Sequence, residues 1–302
     1  MNITLIGYGE VGRILAEDLR AAEHAVTAFD LKLSGDAGPA LREHATQHGV
    51  ALALTHADAV RAAELTICAV TASQTLAAAQ ACAQTMKPGG FYLDFNSASP
   101  GAKIAAATLI DATGARYVEA AVMNSIPPPR IKVPLLLGGT HAQALLPLLQ
   151  GLGFVAKVAS AKLGVASATK MCRSVMIKGL EAMIIESFTT ARHYGVEDAM
   201  IASLHETFPT IDWERQGAYM FQRVIEHGRR RAEEVREVAV TVREAGLEPC
   251  SAAGTAQRQT FIADLADAQV FGPRGTADFA RSSDWRVEAD RLLTHLRTPH
   301  DV

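Results

Sequence analysis

Near residue 160 the hydrophobic pattern of this 302-residue chain changes period. Before that point, short β-branched runs (ITLI, HAVTAF, ELTICAV, FYLDF, ARYVEAAV, KVPLLLGG) alternate with Ala-rich stretches of helical spacing. Strands separated by helices form βαβ crossovers, so the rhythm predicts an N-terminal α/β domain with a doubly wound, mainly parallel Rossmann-type sheet. After about Lys162 the runs lengthen: from about Leu163 to Tyr194 apolar residues recur at helical spacing, and Gly195 supplies a stop. The second half therefore reads as almost all helix. We expect an α/β domain over residues 1–160 and an all-helical domain over 161–302, with the Leu163–Tyr194 helix spanning the junction and neither a low-complexity linker nor an internal repeat.

Composition narrows the partners. Hydrophobic residues make up 49% and charged residues 20%, which is enough apolar surface for a core and argues against a disordered chain. A net charge of -3 gives no electrostatic reason to expect nucleic acid or an anionic membrane. No apolar run approaches the roughly 18 residues of a membrane span. Because the chain opens directly on MNITLIGYGEVG, no targeting peptide is expected. Cys68, Cys82, Cys172 and Cys250 lack CxxC spacing, so neither a zinc site nor a disulfide framework is expected, and a cytoplasmic location follows as the default.

Gly7-Tyr8-Gly9-Glu10-Val11-Gly12 follows the strand NITLI and opens the helix VGRILAEDLRAA. In that setting the first glycine permits a tight turn, the second lets backbone approach a pyrophosphate, and the third allows close helix packing. The phosphate charge then sits on the helix N-terminus. The second strand ends at Phe29-Asp30, near the ~20-residue spacing at which an acid accepts hydrogen bonds from an adenosine ribose. A carboxylate there repels a 2′-phosphate, so NAD is expected over NADP, although Lys32 stands close enough to soften the preference. Val70 and Thr71, at the end of the ELTICAV run, join Asn96 as further cofactor positions, because open α/β sheets bind ligands at strand C-termini. A ligand-free glycine turn, a solvated Asp30, and a simple Asn96-Ser97 cap on the helix after Pro100 are the structural alternatives.

With the fingerprint, the segment LDFNSASPGAK and the run GVASATK in place, the chain resembles the β-hydroxyacid dehydrogenase and 6-phosphogluconate dehydrogenase superfamily. Its C-terminal half is similar to the phosphogluconate-dehydrogenase-like branch of unassigned substrate. The resemblance implies that Asn96 borders the nicotinamide and Ser97 the substrate. It also implies that the family's GxGxxxKxxxN pattern falls on Gly164, Ala166 and Lys170, making Lys170 the catalytic lysine. A lysine of ordinary pKa, ~10.4, is a poor base at neutral pH, so burial or a nearby nicotinamide cation must lower it.

The chain departs from that pattern in several places. Ser174 stands where the family has Asn, and Met123-Asn124-Ser125, followed by Pro127-Pro128-Pro129, stands where it has Ser-Gly-Gly. No sugar-phosphate-binding features are visible in the C-terminal half. The later Lys and Asp pair is replaced by Glu233-Glu234 after Arg229, Arg230 and Arg231, so His227, Arg231 and Glu234 share a helix face that either meets substrate or is solvated. The resemblance further implies a homodimer through the helical domain, supported by the apolar runs KGLEAMIIESF and AYMFQRVI.

His44 and His48 have helical metal-ligand spacing, but no acidic general base sits between them, so a solvated helix and no metal are expected. Trp213, Tyr219, Met220 and Phe221 read as core or subunit interface. The expected function is hydride transfer between NAD and the secondary alcohol of a small polar hydroxy acid. Reduction of an imine or ketone and a non-catalytic NAD-binding module are the alternatives.

Overall fold

The computed structural model describes residues 1–276, 279–280 and 282–297. The chain forms two compact units, Met1–Cys172 and Arg173–Val302.

The first unit contains β1 (Asn2–Ile6), α1 (Glu10–Ala21), β2 (Ala25–Phe29), α2 (Gly38–His48), β3 (Ala51–Leu52), α3 (His56–Val60), β4 (Leu65–Cys68) and α4 (Thr75–Ala83). It continues through β5 (Phe91–Asp94), α5 (Pro100–Asp111), β6 (Arg116–Val122), β7 (Leu135–Gly138), α6 (Ala142–Gly151) and β8 (Ala156–Ser160). The eight strands lie in the order β3-β2-β1-β4-β5-β6-β7-β8. Every neighbouring pair is parallel except β6 with β7. The break has a local cause: the segment between β6 and β7 holds only a 3-10 turn at Arg130–Lys132, so the chain turns back beside β6 instead of crossing over. The short β3 and the edge strand β8 lie outside the runs picked from the sequence.

The pleat sorts the strand residues onto two helix-covered faces. Ile3, Leu5, Leu65, Ile67, Phe91 and Leu93 pack with Leu15, Leu19, Leu41 and Leu145 from α1, α2 and α6. Ile6, Cys68, Tyr92 and Tyr117 face Val60, Ala79, Cys82 and Ile110 from α3, α4 and α5. Small alanines on α4 and α5 let those helices approach closely. Both faces being buried explains why the strands read as nearly continuous apolar runs.

The long helix α7 (Val165–Tyr194) begins in the first unit and continues into the second. There α8 (Glu197–Thr207), α9 (Trp213–Glu244), α10 (Cys250–Asp267) and α11 (Trp285–Arg297) complete an all-helical domain. Its core joins Ile184, Ile185 and Phe188 of α7 to Phe221, Val224 and Ile225 of α9, Ile262 of α10 and Trp285 of α11. Trp213, Met220 and Phe221 are buried in it, whereas Tyr219 is half exposed. Among the described residues, no helix is long and apolar enough to cross a membrane.

Candidate active site

The glycine loop sits at the C-terminal end of β1. Gly7 adopts φ +97°, and a Cβ there would lie 2.3 Å from the carbonyl oxygen of Ala69. A Cβ on Gly12 would lie 2.0 Å from the Gly7 carbonyl, so the helix start and the turn exclude any larger residue. By contrast, a Cβ on Gly9 would meet nothing within 4 Å. Gly9 is also the N-cap of α1 and offers no side chain to its first amides. An uncapped helix start above open space fits the pyrophosphate of a dinucleotide.

The other fingerprint residues divide by direction. Glu10 is exposed and Val11 is half-buried against the core. Tyr8 is fully buried, its backbone N–H donates to Asp30 Oδ2 at 2.7 Å, and its hydroxyl meets His44 Nδ1 at 2.9 Å. Burial pushes the Tyr8 hydroxyl up to about 12, so it stays neutral. Asp30 Oδ1 accepts the Lys32 amide at 2.8 Å, capping the turn that follows β2. Asp30 therefore organises the loop with both oxygens, and each keeps a lone pair for a further donor.

The strand ends beside the loop are braced from within. Asn96, expected to border the cofactor, is buried: its Oδ1 accepts the Val70 amide at 2.8 Å and its Nδ2 reaches Cys68 Sγ at 3.4 Å. It ties the end of β4 to the end of β5, setting the path of Val70 and the exposed Thr71. Beneath it Asp94, fully buried, accepts from Lys103 Nζ at 2.8 Å, the Asn96 amide at 2.9 Å and the Tyr117 hydroxyl at 2.7 Å. Burial, reinforced by Asp94, holds the Tyr117 hydroxyl well above its ordinary range. Burial likewise pushes the Cys68 thiol up to about 11. The Asp94–Lys103 pair joins residues nine positions apart on a strand and the following helix, and nothing in the sequence pattern marks it.

Lys170 meets Ser97 inside the first unit, Nζ donating to Oγ at 2.6 Å. Ser97 follows β5, and Lys170 lies early in α7. The start of α7 is itself set by Glu119 of β6, whose buried carboxylate accepts the amides of Gly164 (2.8 Å), Ala166 (3.2 Å) and Ser167 (3.2 Å) and the Ser167 hydroxyl (2.7 Å). A negative carboxylate against the first amides of a helix complements its dipole. The only sequence signal for this clamp is an acidic residue within the apolar strand ARYVEAAV.

Of the substrate segment, Met123 packs with Ala121, Leu136 and Ala166, and therefore beside the start of α7. Asn124 Oδ1 accepts the Ser125 amide at 2.9 Å. That backbone donor is thus engaged, unlike the glycine amides of the family pattern.

In the second unit Ser174 is buried one helical turn after Lys170. The expectation that Arg231 and Glu234 present one charged face needs correction. Arg231 is 4% exposed and its guanidinium binds Glu181 through Nε at 2.9 Å and through NH2. Gln259 Nε2 adds a third donor to Glu181 at 3.2 Å. Glu234 accepts Lys178 Nζ at 2.6 Å and Arg230 at 2.5 Å. Position along α9 turns Arg231 inward, where its charge is spent on a buried partner. Burial, partly offset by Glu234, lowers the Lys178 ammonium below its ordinary range.

A doubly wound sheet with an uncapped glycine loop at a strand end is the architecture of a dinucleotide-binding domain. Residues 2–150 match the NAD binding domain of 6-phosphogluconate dehydrogenase, and residues 191–262 match a domain of unknown function, DUF1932. The chain belongs to this NAD-binding, hydroxyacid-dehydrogenase-like family. It is similar to a conserved hypothetical protein from Sinorhizobium meliloti 1021 of known structure, with 32% identity, 97% of each chain covered and a TM-score of 0.76. The conserved protein MTH1747, described as structurally similar to 3-hydroxyacid dehydrogenases, is 28% identical over 89% of this chain and 98% of its own, with a TM-score of 0.70. The Mycobacterium tuberculosis 3-hydroxyisobutyrate dehydrogenase shares the fold at 17% identity, covering 98% of this chain and 99% of that one, with a TM-score of 0.68.

Proposed function

We propose that the protein is an NAD-dependent dehydrogenase that moves a hydride between the cofactor and the secondary alcohol of a small polar hydroxy acid. The observation that carries this reading is the 2.6 Å contact of Lys170 Nζ with Ser97 Oγ, in the same unit as the glycine loop. A bound nicotinamide supplies the hydride acceptor for alcohol oxidation. Lys170 binds the substrate hydroxyl, takes its proton during oxidation and returns it during reduction. Ser97 holds the amine in place by accepting from it, and Ser174 offers a second hydroxyl on the same face of α7. Met123, Asn124 and Ser125 form the wall for the polar end of the substrate, meeting it with side chains because the Ser125 amide is engaged. Asp30 favours NAD over NADP. A second copy of the chain is the proposed partner, docked through the helical domain.

A panel of hydroxy acids and aldonates followed by NADH absorbance tests the reading, with Lys170→Ala as control. The variant is expected to lose ~10²–10⁴-fold in turnover while binding cofactor normally. Near-normal turnover would remove Lys170 from the chemistry. Turnover of imines or ketones without any alcohol oxidation would replace the substrate class, and cofactor binding without turnover of any of these would make the protein a binding module.

A further inference from the structure

Outside the dinucleotide and Lys170 constellations, α1 and α2 bring together Glu17, His44 and His48. One ligand atom from each lies within 4.8 Å of the others. Spacing along the chain supplied only the two histidines, one turn apart on α2; folding adds the carboxylate from a different helix. We propose that these three side chains bind one divalent transition-metal ion of the zinc class, stapling α1 to α2 beneath the glycine loop.

The donor set fits that chemistry. Two imidazoles and one carboxylate suit zinc and its neighbours better than calcium or magnesium, which prefer all-oxygen shells. Three protein ligands leave a fourth position for water. His44 Nε2 and Glu17 Oε1 stand 2.9 Å apart, slightly closer than the ~3.4 Å edge of a tetrahedron with metal bonds of about 2.0–2.2 Å, so a small side-chain rotation admits the ion. The ion then takes the place of the proton that these two atoms share.

The surroundings hold both ligands in orientation. The Tyr8 hydroxyl sits 2.9 Å from His44 Nδ1; with an ion bound, Nδ1–H would donate to that hydroxyl and the Nε2 lone pair would be left for the metal. That outer hydrogen bond is the usual support of a metal-bound histidine. Arg130 NH2 binds Glu17 Oε2 at 2.7 Å, and Arg130 Nε binds Asp18 at 2.8 Å, which fixes the carboxylate and leaves Oε1 for the ion. The His48 ring lies 4.5 Å from that of His44, and both imidazoles and Glu17 are half-buried, within reach of ions from solvent. Because Tyr8 belongs to the fingerprint, an ion held here would also stiffen the loop from below.

The test uses untagged, chelator-stripped full-length protein and zinc chloride alone, read by equilibrium dialysis and by thermal melting. One equivalent of zinc is expected to bind, with a rise in Tm. His48→Ala leaves the Tyr8–His44–Glu17 chain intact, and is expected to weaken binding at least ~10-fold and abolish the Tm rise. His44→Gln should weaken it similarly. Absence of stoichiometric binding would overturn the proposal. So would unchanged affinity in His48→Ala, which would place the ion elsewhere, such as on the exposed thiols of Cys172 or Cys250.

Discussion

Lys103 and Asp94 are each no more than 1% exposed, and neither has access to the water that normally stabilises a charge. Their attraction, with the Tyr117 hydroxyl and the Asn96 amide, offsets a large desolvation cost, so removing one partner strands the other. Lys103→Met is therefore expected to lower stability by about 3–5 kcal/mol, read as a lower urea midpoint. Asn96 and the path of Val70 rest on this pair, so cofactor affinity should fall with it. Asp30 leads to a different expectation. Its carboxylate closes the Tyr8 and Lys32 turns and still repels a 2′-phosphate, so calorimetry should find NAD bound more tightly than NADP. Equal or tighter NADP binding would remove Asp30 as the discriminator. Asp30→Ala should narrow the preference while also weakening NAD, because the loop loses two anchors.

Helix α7 gains its starting point from a strand rather than from its own sequence. Four donors converge on Glu119, and no residue within GVASATK could replace a carboxylate arriving from β6. Glu119→Ala should cost about 3 kcal/mol, since buried amides lose a charged acceptor, and should speed hydrogen exchange at Gly164 to Ser167. Gly138→Ala tests the same contact without touching the charge, because its Cβ would lie 2.3 Å from Glu119 Oε1. Both variants should reduce turnover through Lys170, whose aim depends on where α7 begins. If exchange at these amides stays slow in Glu119→Ala, the clamp does not hold the helix start. In α9 the helical period puts Arg231 one turn from Glu234, yet a period cannot say what lies opposite either of them. Glu181 and Gln259 come from α7 and α10, far away in the chain, and they decide that Arg231 is buried.

The proposed pairing of two copies rests on what the helical domain leaves uncovered. Most of KGLEAMIIESF and AYMFQRVI is consumed by the domain's own core, including Ile184, Ile185, Phe188, Phe221 and Ile225. Met176 and Met183 remain 71% and 60% exposed, seven residues apart on one face of α7. A second copy covering this stripe would bury it symmetrically. Light scattering at micromolar concentration is expected to give a dimer, and Met176→Lys combined with Met183→Lys to give a monomer. A wild-type monomer that keeps full activity on dilution would reject the pairing.

Lys170 stood out only through the family resemblance, whereas hydrophobic period and glycine placement were enough to read the doubly wound sheet, the helical second half and the dinucleotide loop from the chain alone. Each depends on residues close in sequence, where the pleat, the helical turn and the sterics of φ act directly. The Asp94–Lys103 pair, the Glu119 clamp, the inward turn of Arg231 with Glu181 and Gln259, and the meeting of Glu17 with His44 depend on partners 9 to 78 residues apart. Burial of a charge is a property of its surroundings, and those surroundings exist only once distant strands and helices have packed.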